Sequence, residues 1–351
     1  MQEILSFFRG KKIFITGHTG FKGAWLSHLL HSNGSIIKGY SKEPNTKPSL
    51  YYLLELNSKI SSIINDINSY LTLEKEILDF EPDFIFHLAA QPLVRYSYSN
   101  SLETHNTNII GTANVLEAAR KLKNKCNVIC ITTDKVYKNQ EWEFPYRETD
   151  ELGGYDPYSS SKAAAELLIS SYRQSFFTNS NVQLASVRAG NVIGGGDWSE
   201  DRLIPDIVRS IVNNTNIEIR NPNSIRPWQH VLDPLFGYLK LATLMSEIPR
   251  KYDQAWNFGP LNNDIKTVHE VLDIFYKAYN IKSEYKLNTD NNLHEADILK
   301  LDISKSTSNL NWRPILETKF AIELTANWYK NYMEGANVSD LVNNDIKNFI
   351  K

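Results

Sequence analysis

An α/β fold built on a doubly wound parallel sheet is predicted by three features of the sequence. Short apolar runs, of strand length, alternate with longer helical stretches through the first half of the chain. The first of those strands runs straight into three glycines spaced three apart and then into a helix. A later strand stops on polar residues, and a helix opening Tyr-x-x-x-Lys follows it.

Lys11 to Thr16 reads as the first strand, leading into Gly17-His18-Thr19-Gly20-Phe21-Lys22-Gly23 and an apolar-periodic helix from Ala24 to His31. Glycines at 17, 20 and 23 allow a tight turn, close approach of the backbone to a pyrophosphate, and close packing of helix on strand. A glycine triplet alone is most often a plain turn; the strand before it and the helix after it make it a dinucleotide-binding candidate of the Rossmann type. The second strand, Ser35 to Tyr40, ends without the carboxylate that would hold the adenosine ribose and favour NAD. Ser41 and Lys42 stand there instead. Lys42 can meet a ribose 2′-phosphate or, as exposed lysines usually do, simply face water. Ile60 to Ile64 is a third strand, after which Asp66-Ile67 either lines an adenine pocket or caps the next helix. Asp83 to Leu88 is the fourth. It leads into Ala89, Ala90, Gln91 and Pro92, small enough in part for a cofactor to lie against the backbone, and then to Arg95 and Ser97 in a loop. A long helix from Ser101 to Lys123 follows, containing Asn106, Asn108 and Gly111.

The stretch from Val128 to Lys162 organises the rest. Val128 to Ile131 is a buried strand ending in Thr132-Thr133-Asp134-Lys135, and after a turn-rich segment Tyr158-Ser159-Ser160-Ser161-Lys162 opens the helix Ala163 to Leu168. Tyrosine and lysine four apart share a helix face. With a nicotinamide cofactor beside them, the lysine cation favours phenolate and lowers the tyrosine from its ordinary pKa of about 10. A lone pair of this kind is usually a packed ring beside a solvated amine, so its meaning depends on the dinucleotide fold around it.

Beyond a sixth strand, Val182 to Val187, regularity falls away. Arg188 to Trp198 is glycine-rich, suited to wrapping a nucleotide diphosphate or to a plain inter-domain turn, and it leads to Arg202 and a helix near Pro205. Arg226-Pro227-Trp228 places an arginine beside an aromatic, fit for phosphate clamping and base stacking or for a surface ion pair and a packed indole. Helices at Val268 to Tyr279 and Lys319 to Tyr332 dominate the C-terminal third. The expected organisation is a Rossmann domain over 1–187 and a smaller, mixed substrate domain over 188–351, some of whose segments return to the first sheet.

Composition narrows the function classes. The 351 residues carry a net charge of −2, 42% hydrophobic and 22% charged residues, and no block of one sign, so nothing electrostatic points to nucleic acid or a membrane surface. No apolar run approaches the roughly 18 residues of a spanning helix, and the start lacks a signal-peptide core, so a cytoplasmic protein is expected. Two cysteines, Cys126 and Cys130, sit on or beside a strand where that separation puts them roughly 13 Å apart, too far for a disulfide. They read as small buried hydrophobes, and no Cys/His spacing fits a metal.

The runs Gly17 to Gly23, Thr132 to Tyr137 with Glu141-Trp142, Gly153 to Lys162, Arg188 to Trp198 and Arg226 to Asp233 together resemble the nucleotide-sugar branch of the extended short-chain dehydrogenase/reductase family, most narrowly its 4,6-dehydratases acting on a CDP-sugar. Most dehydratases of the wider group carry Thr-Asp-Glu where this chain has Thr133-Asp134-Lys135, a lysine the CDP-sugar enzymes share. The resemblance implies a tightly held NAD, contacted by Gly17, Thr19, Gly20, Phe21, Lys22, Gly23, Ser41, Asp66, Ile67, Leu88, Ala89 and Ala90 with Tyr158 and Lys162. It implies substrate contacts at Gln91, Arg95, Asn191, Arg202 and Arg226. Tyr158 takes the C4 hydroxyl proton, Thr133 orients that hydroxyl, and Asp134 protonates the departing C6 oxygen. Lys135 is either the C5 base or a charge stabilising the developing enolate. A homodimer or homotetramer is implied through the helices at 101–123 and 156–178, whose apolar faces can equally be plain core, and the product would feed deoxysugars of surface polysaccharides. A 4-epimerase or 4-oxidase would share Gly17, Tyr158 and Lys162 without needing an acid for C6, and a non-catalytic dinucleotide sensor would need none of the three catalytic groups.

Overall fold

The computed structural model describes residues 1–288 and 296–350. Seven strands form one parallel sheet: β1 (Lys12–Thr16), β2 (Ile36–Ser41), β3 (Ser61–Ile64), β4 (Phe84–His87), β5 (Cys126–Ile131), β6 (Val182–Ala189) and a last strand, Ala255–Phe258. Across the sheet the order is Ala255–Phe258, β6, β5, β4, β1, β2, β3. The chain therefore winds outward from β1 through β2 to β3, then crosses back to β4 and winds the other way. The reversal lies between β1 and β4, and the crevice beyond their C-terminal ends is where ligands bind in sheets of this kind.

Strands buried on both faces need apolar residues at every position, and their side chains still alternate between the two layers. Ile13, Ile15, Phe84, Phe86, Ile129, Ile131, Ala185 and Val187 enter one core. Phe14, Ile85, Val128, Cys130 and Leu184, the residues between them, enter the other. Cys126 and Cys130 are both free and buried, on the second side.

Where β1 meets β4, Thr16 Oγ1 and His87 Nδ1 lie 2.7 Å apart, and His87 Nε2 is 2.9 Å from Thr112 Oγ1. Burial pushes His87 down to about 3, so the imidazole is a neutral strut. A short helix, Gln2–Phe7, precedes β1, and the helix after the glycine turn begins at Phe21, three residues before the sequence pattern indicates, because extended Gly20 caps it (Phe21–Ser32). The expected long helix after Ser101 is three pieces: Ser101–His105, a π-helical turn Asn106–Ile110, and Gly111–Arg120. Two side chains explain the break. Asn108 turns inward to bond the backbone of Gln91, and Gly111 lets Ile67 pack so close that an added Cβ would lie 2.6 Å from its Cγ2. Such turns recur where a helix serves a site.

The Tyr158 helix spans Pro157–Ser175. Proline sits in its first turn, and the Asp156 carboxylate accepts the Ser159 amide at 2.9 Å, the usual N-terminal chemistry. Beyond β6, helices Leu203–Val212, Leu232–Glu247, Val268–Ala278, Thr318–Met333 and Val338–Ile350 surround short strand pairs, Val192–Ile193 with Gln229–His230 and Ile225–Arg226 with Lys266–Thr267 among them.

Candidate active site

The C-terminal ends of β5 and β6, the start of the Pro157–Ser175 helix and the loops after β6 enclose a cavity of about 940 Å³. Thr133, extended at φ −152°, stops β5 and caps a single 3₁₀ turn over Asp134–Val136. Its hydroxyl donates to Asp134 Oδ1 at 2.9 Å and accepts the Lys135 amide at 3.4 Å. Asp134 is 1% exposed, and its Oδ2, which has no hydrogen-bond partner among the described residues, belongs to a side chain lining the cavity. Burial raises its pKa above the ordinary carboxylate value against the pull of Lys135, Thr133 and Arg226. A buried carboxyl of this kind favours its acid form and can give a proton.

Tyr158 and Lys162 line the same cavity. The isolated pair predicts a lowered phenol pKa; here burial raises Tyr158 to about 12, with the Thr133 hydrogen bond and the Arg202 charge drawing it down and Asp134 pushing it up. Lys162 is itself pushed down to about 8 by burial, and its ammonium donates to the Ile131 carbonyl at 3.3 Å. Desolvation thus outweighs the pairing that helix spacing suggests. The Tyr158 backbone amide donates to Ser97 Oγ at 3.1 Å, and Ser161 Oγ, one turn on, accepts Asn108 Nδ2 at 2.8 Å. Asn108 therefore ties the Tyr158 helix to the Gln91 loop. Two asparagines and a glycine inside an otherwise helical run were the available sign of it.

A second tie lies one turn beyond Lys162. The Glu166 carboxylate accepts Thr132 Oγ1 at 2.6 Å, Ser186 Oγ at 2.9 Å and Arg188 Nη2 at 2.8 Å, all buried. Arg188 in turn donates to Tyr137 OH at 2.8 Å. The spacing from Lys162 marks Glu166 as sharing its helix face, but only the folded sheet shows which strand ends it meets.

The glycine turn forms a backbone cradle beside this cavity. Gly17 has φ +74°, and a Cβ there would come 2.7 Å from the Ala89 amide nitrogen; a Cβ on Gly23 would strike the Gly17 carbonyl at 2.0 Å. Leu88 donates its amide to Thr16, continuing the line of β4, and Ala89 donates to Thr16 Oγ1 at 3.2 Å. Phe21, Lys22, Leu88 and Ala90 line the cavity. Burial, followed by the charges of Arg202 and Lys162, pushes Lys22 down to about 7. Bare backbone at the turn and the Lys22 cation beside it fit a diphosphate-bearing dinucleotide. On the rim of the turn Thr19 Oγ1 lies 2.8 Å from Ser41 Oγ and donates to the Lys42 carbonyl. Asp66 pairs with Lys42, while Ile67 is buried beneath Gly111 and its carbonyl accepts from Asn114.

The remaining polar positions differ in what engages them. Arg202 Nη1 lies 2.8 Å from Asp197 Oδ2, and Tyr329 OH holds the Asp197 carbonyl at 2.5 Å. Arg226 is buried and donates to the carbonyls of Ile225, Asp297 and Ala296. Asn191 lines the cavity through the loop after β6, its carbonyl accepting the Gln229 amide. Arg95 sits at the rim, 3.6 Å from Asp201. The Gln91 side-chain amide, expected at the substrate, instead donates to Leu93 O in its own loop and to Thr104 Oγ1 on the Ser101–His105 helix, and Gln91 does not line the cavity. Among the described residues no cluster of His, Cys, Asp and Glu is placed to hold a metal ion. None of the described helices is long and apolar enough to cross a membrane.

Residues 14–325 match the family model described as GDP-mannose 4,6 dehydratase. The chain is 47% identical over 335 residues to a CDP-glucose 4,6-dehydratase of Salmonella typhimurium, covering 94% of this chain and 93% of that one. It is 25% identical to a CDP-paratose 2-epimerase of Salmonella typhi, over 90% of this chain and 98% of that one. Among solved structures, the dTDP-glucose 4,6-dehydratase DesIV of Streptomyces venezuelae, with NAD and TYD bound, superposes with a TM-score of 0.80 at 20% identity, covering 92% and 98% of the two chains. The likeness at that identity is one of fold.

Proposed function

The chain belongs to the family that the GDP-mannose 4,6 dehydratase model describes, the nucleotide-sugar branch of the extended short-chain dehydrogenase/reductases, and from that premise we propose that it converts CDP-glucose to CDP-4-keto-6-deoxyglucose and water. The reaction is that of a hydro-lyase. The observation that carries it is Asp134: a buried carboxyl held toward its acid form, hydrogen-bonded to Thr133 and bordering the cavity that Tyr158 also lines. A 4-epimerase has no use for that proton.

NAD held in the cradle of Gly17, Gly20 and Gly23, against Leu88 to Ala90 and with Lys162 at its ribose, supplies the means to oxidise C4 and later to reduce C6. Thr133 orients the C4 hydroxyl and Tyr158 takes its proton. For that role the Tyr158 pKa has to fall from about 12, and Arg202 already pulls in that direction. A ketone at C4 makes the C5 proton acidic, and Lys135 takes it. Asp134 delivers its proton to the leaving C6 oxygen, so water departs as a neutral molecule instead of hydroxide. Arg202, Arg226 and Asn191 hold the substrate diphosphate, with Arg95 at the rim of the cavity; Gln91, whose side chain is taken up by Leu93 and Thr104, positions its loop instead of touching the sugar.

The same proposal divides the chain into a dinucleotide half over 1–187 and a mainly nucleotide-sugar half over 188–351, and places it in the cytoplasm. It also makes the protein a homodimer or homotetramer. Leu102, Ile110 and Leu167 are exposed apolar residues on the helical segments that would pair.

Purified protein incubated separately with CDP-glucose, dTDP-glucose, GDP-mannose and UDP-glucose, without added reductant, tests the reading by product mass. Loss of one water from CDP-glucose alone is the expected result. Unchanged mass with an inverted sugar centre would mean an epimerase instead.

A further inference from the structure

β2 ends without the acid that commonly holds an adenosine ribose, and the folded chain brings negative charge to that point from two other elements. Lys42 Nζ lies 2.9 Å from Asp66 Oδ2, beyond the end of β3, and 3.7 Å from Glu103 Oε1 on the Ser101–His105 helix. Each acid is also held from its far side: Asp66 Oδ1 accepts the Asn68 amide at 2.8 Å, and Glu103 accepts Tyr96 OH at 2.7 Å. Thr19 of the glycine turn grips the Lys42 carbonyl at 2.8 Å, which fixes the trio to the rim of the cofactor cradle.

We propose that Asp66 and Glu103, by engaging Lys42, make this rim select NAD over NADP. The inference rests on reading the glycine turn as a dinucleotide site. One ammonium between two carboxylates leaves a net single negative charge where a ribose 2′-phosphate would sit, and the ammonium that could have met the phosphate is already taken. A free 2′-hydroxyl, by contrast, can donate to Asp66. Asp66 stays ionised because the Asn68 amide and Lys42 outweigh the cost of its burial. The hydrogen bond to Asp66 is also the main influence raising Lys42 above its ordinary value, so this pair is fully charged at neutral pH. The side chains are partly exposed, so the selection acts through a field that solvent and salt screen, and it weakens as ionic strength rises. Specificity of this kind comes as much from repulsion of the wrong ligand as from contacts with the right one.

The test is equilibrium dialysis of the full-length chain, stripped of dinucleotide, against NAD⁺ and NADP⁺ separately. The unsubstituted protein is expected to bind NAD⁺ more tightly, Glu103→Gln and Asp66→Asn each to narrow that ratio by about tenfold at low salt, and Lys42→Met to widen it. Because both ligands are measured on one preparation, a variant that folds poorly lowers both affinities and leaves the ratio alone. Equal affinities in the unsubstituted protein, or a ratio that neither acid substitution moves, would overturn the proposal. Binding of neither dinucleotide to the unsubstituted chain would sink the cofactor reading beneath it, before any variant is compared.

Discussion

Asp134 and Lys135 are neighbours in the chain with opposite tasks, and the structure separates them by environment. Asp134 is enclosed and bonded to Thr133, whereas the Lys135 backbone closes a 3₁₀ turn whose start Thr133 caps. Asp134→Asn keeps the shape and removes the proton, so turnover of CDP-glucose should fall by about 10²-fold or more while substrate still binds; product mass and equilibrium binding together report this. Lys135→Met should stop exchange of the C5 proton with solvent deuterium. Exchange at the original rate would leave Lys135 with only an electrostatic part. The Tyr158–Lys162 spacing was legible in the sequence as a candidate once a dinucleotide fold was expected around it, but the Tyr158 pKa was not, because desolvation depends on what the fold stacks over the ring.

At the scale of elements, the catalytic helix is fastened to the sheet by a buried charge pair. Glu166 joins the Pro157–Ser175 helix to the ends of β5 and β6 through Thr132, Ser186 and Arg188. Removing one partner leaves the other charged and enclosed, so Glu166→Ala should cost about 3–5 kcal/mol in urea unfolding. A loss within error of zero would mean that water replaces the carboxylate. A different element carries a pH dependence. Asp345 on the Val338–Ile350 helix is buried, has an Oδ2 without a hydrogen-bond partner among the described residues, and is raised by burial from 3.8 to about 8. Between those values the native state keeps a proton that the unfolded chain releases, so stability falls as pH rises from about 4 to about 8. Asp233, raised by burial to about 7, acts in the same direction. Thermal melts of Asp345→Asn across this range should show a shallower decline than the unsubstituted protein, and an equal slope would place the titration elsewhere.

For the whole molecule, two of the most exposed leucines lie on the catalytic helix and on the Ser101–His105 helix packed against it. Leu102 is 80% exposed and Leu167 61%, unusual for leucines on helices that pack beside each other. If these faces join copies of the chain, Leu102→Glu with Leu167→Glu should yield a monomer by light scattering that keeps its circular dichroism. A single species of the same mass with and without the substitutions would return them to the solvent.

The alternation of strands and helices, the glycine turn, the Thr133-Asp134-Lys135 stop and the Tyr158–Lys162 helix were all readable along the chain, because each depends on local periodicity or on residues within a turn of one another. Cys126 and Cys130 were readable as free thiols for the same reason: strand geometry sets their separation. What only the tertiary structure decided involves pairs far apart in sequence. The break at Asn106–Ile110 needs the Gln91 loop and Ile67 to be seen, the Glu166 tie needs two strand ends, and the charge that answers the missing acid of β2 comes from Asp66 and Glu103. Direction of a pKa shift belongs to this second group as well. A lysine one turn from a tyrosine can be found by counting, but the field each feels is set by how much water the rest of the protein removes.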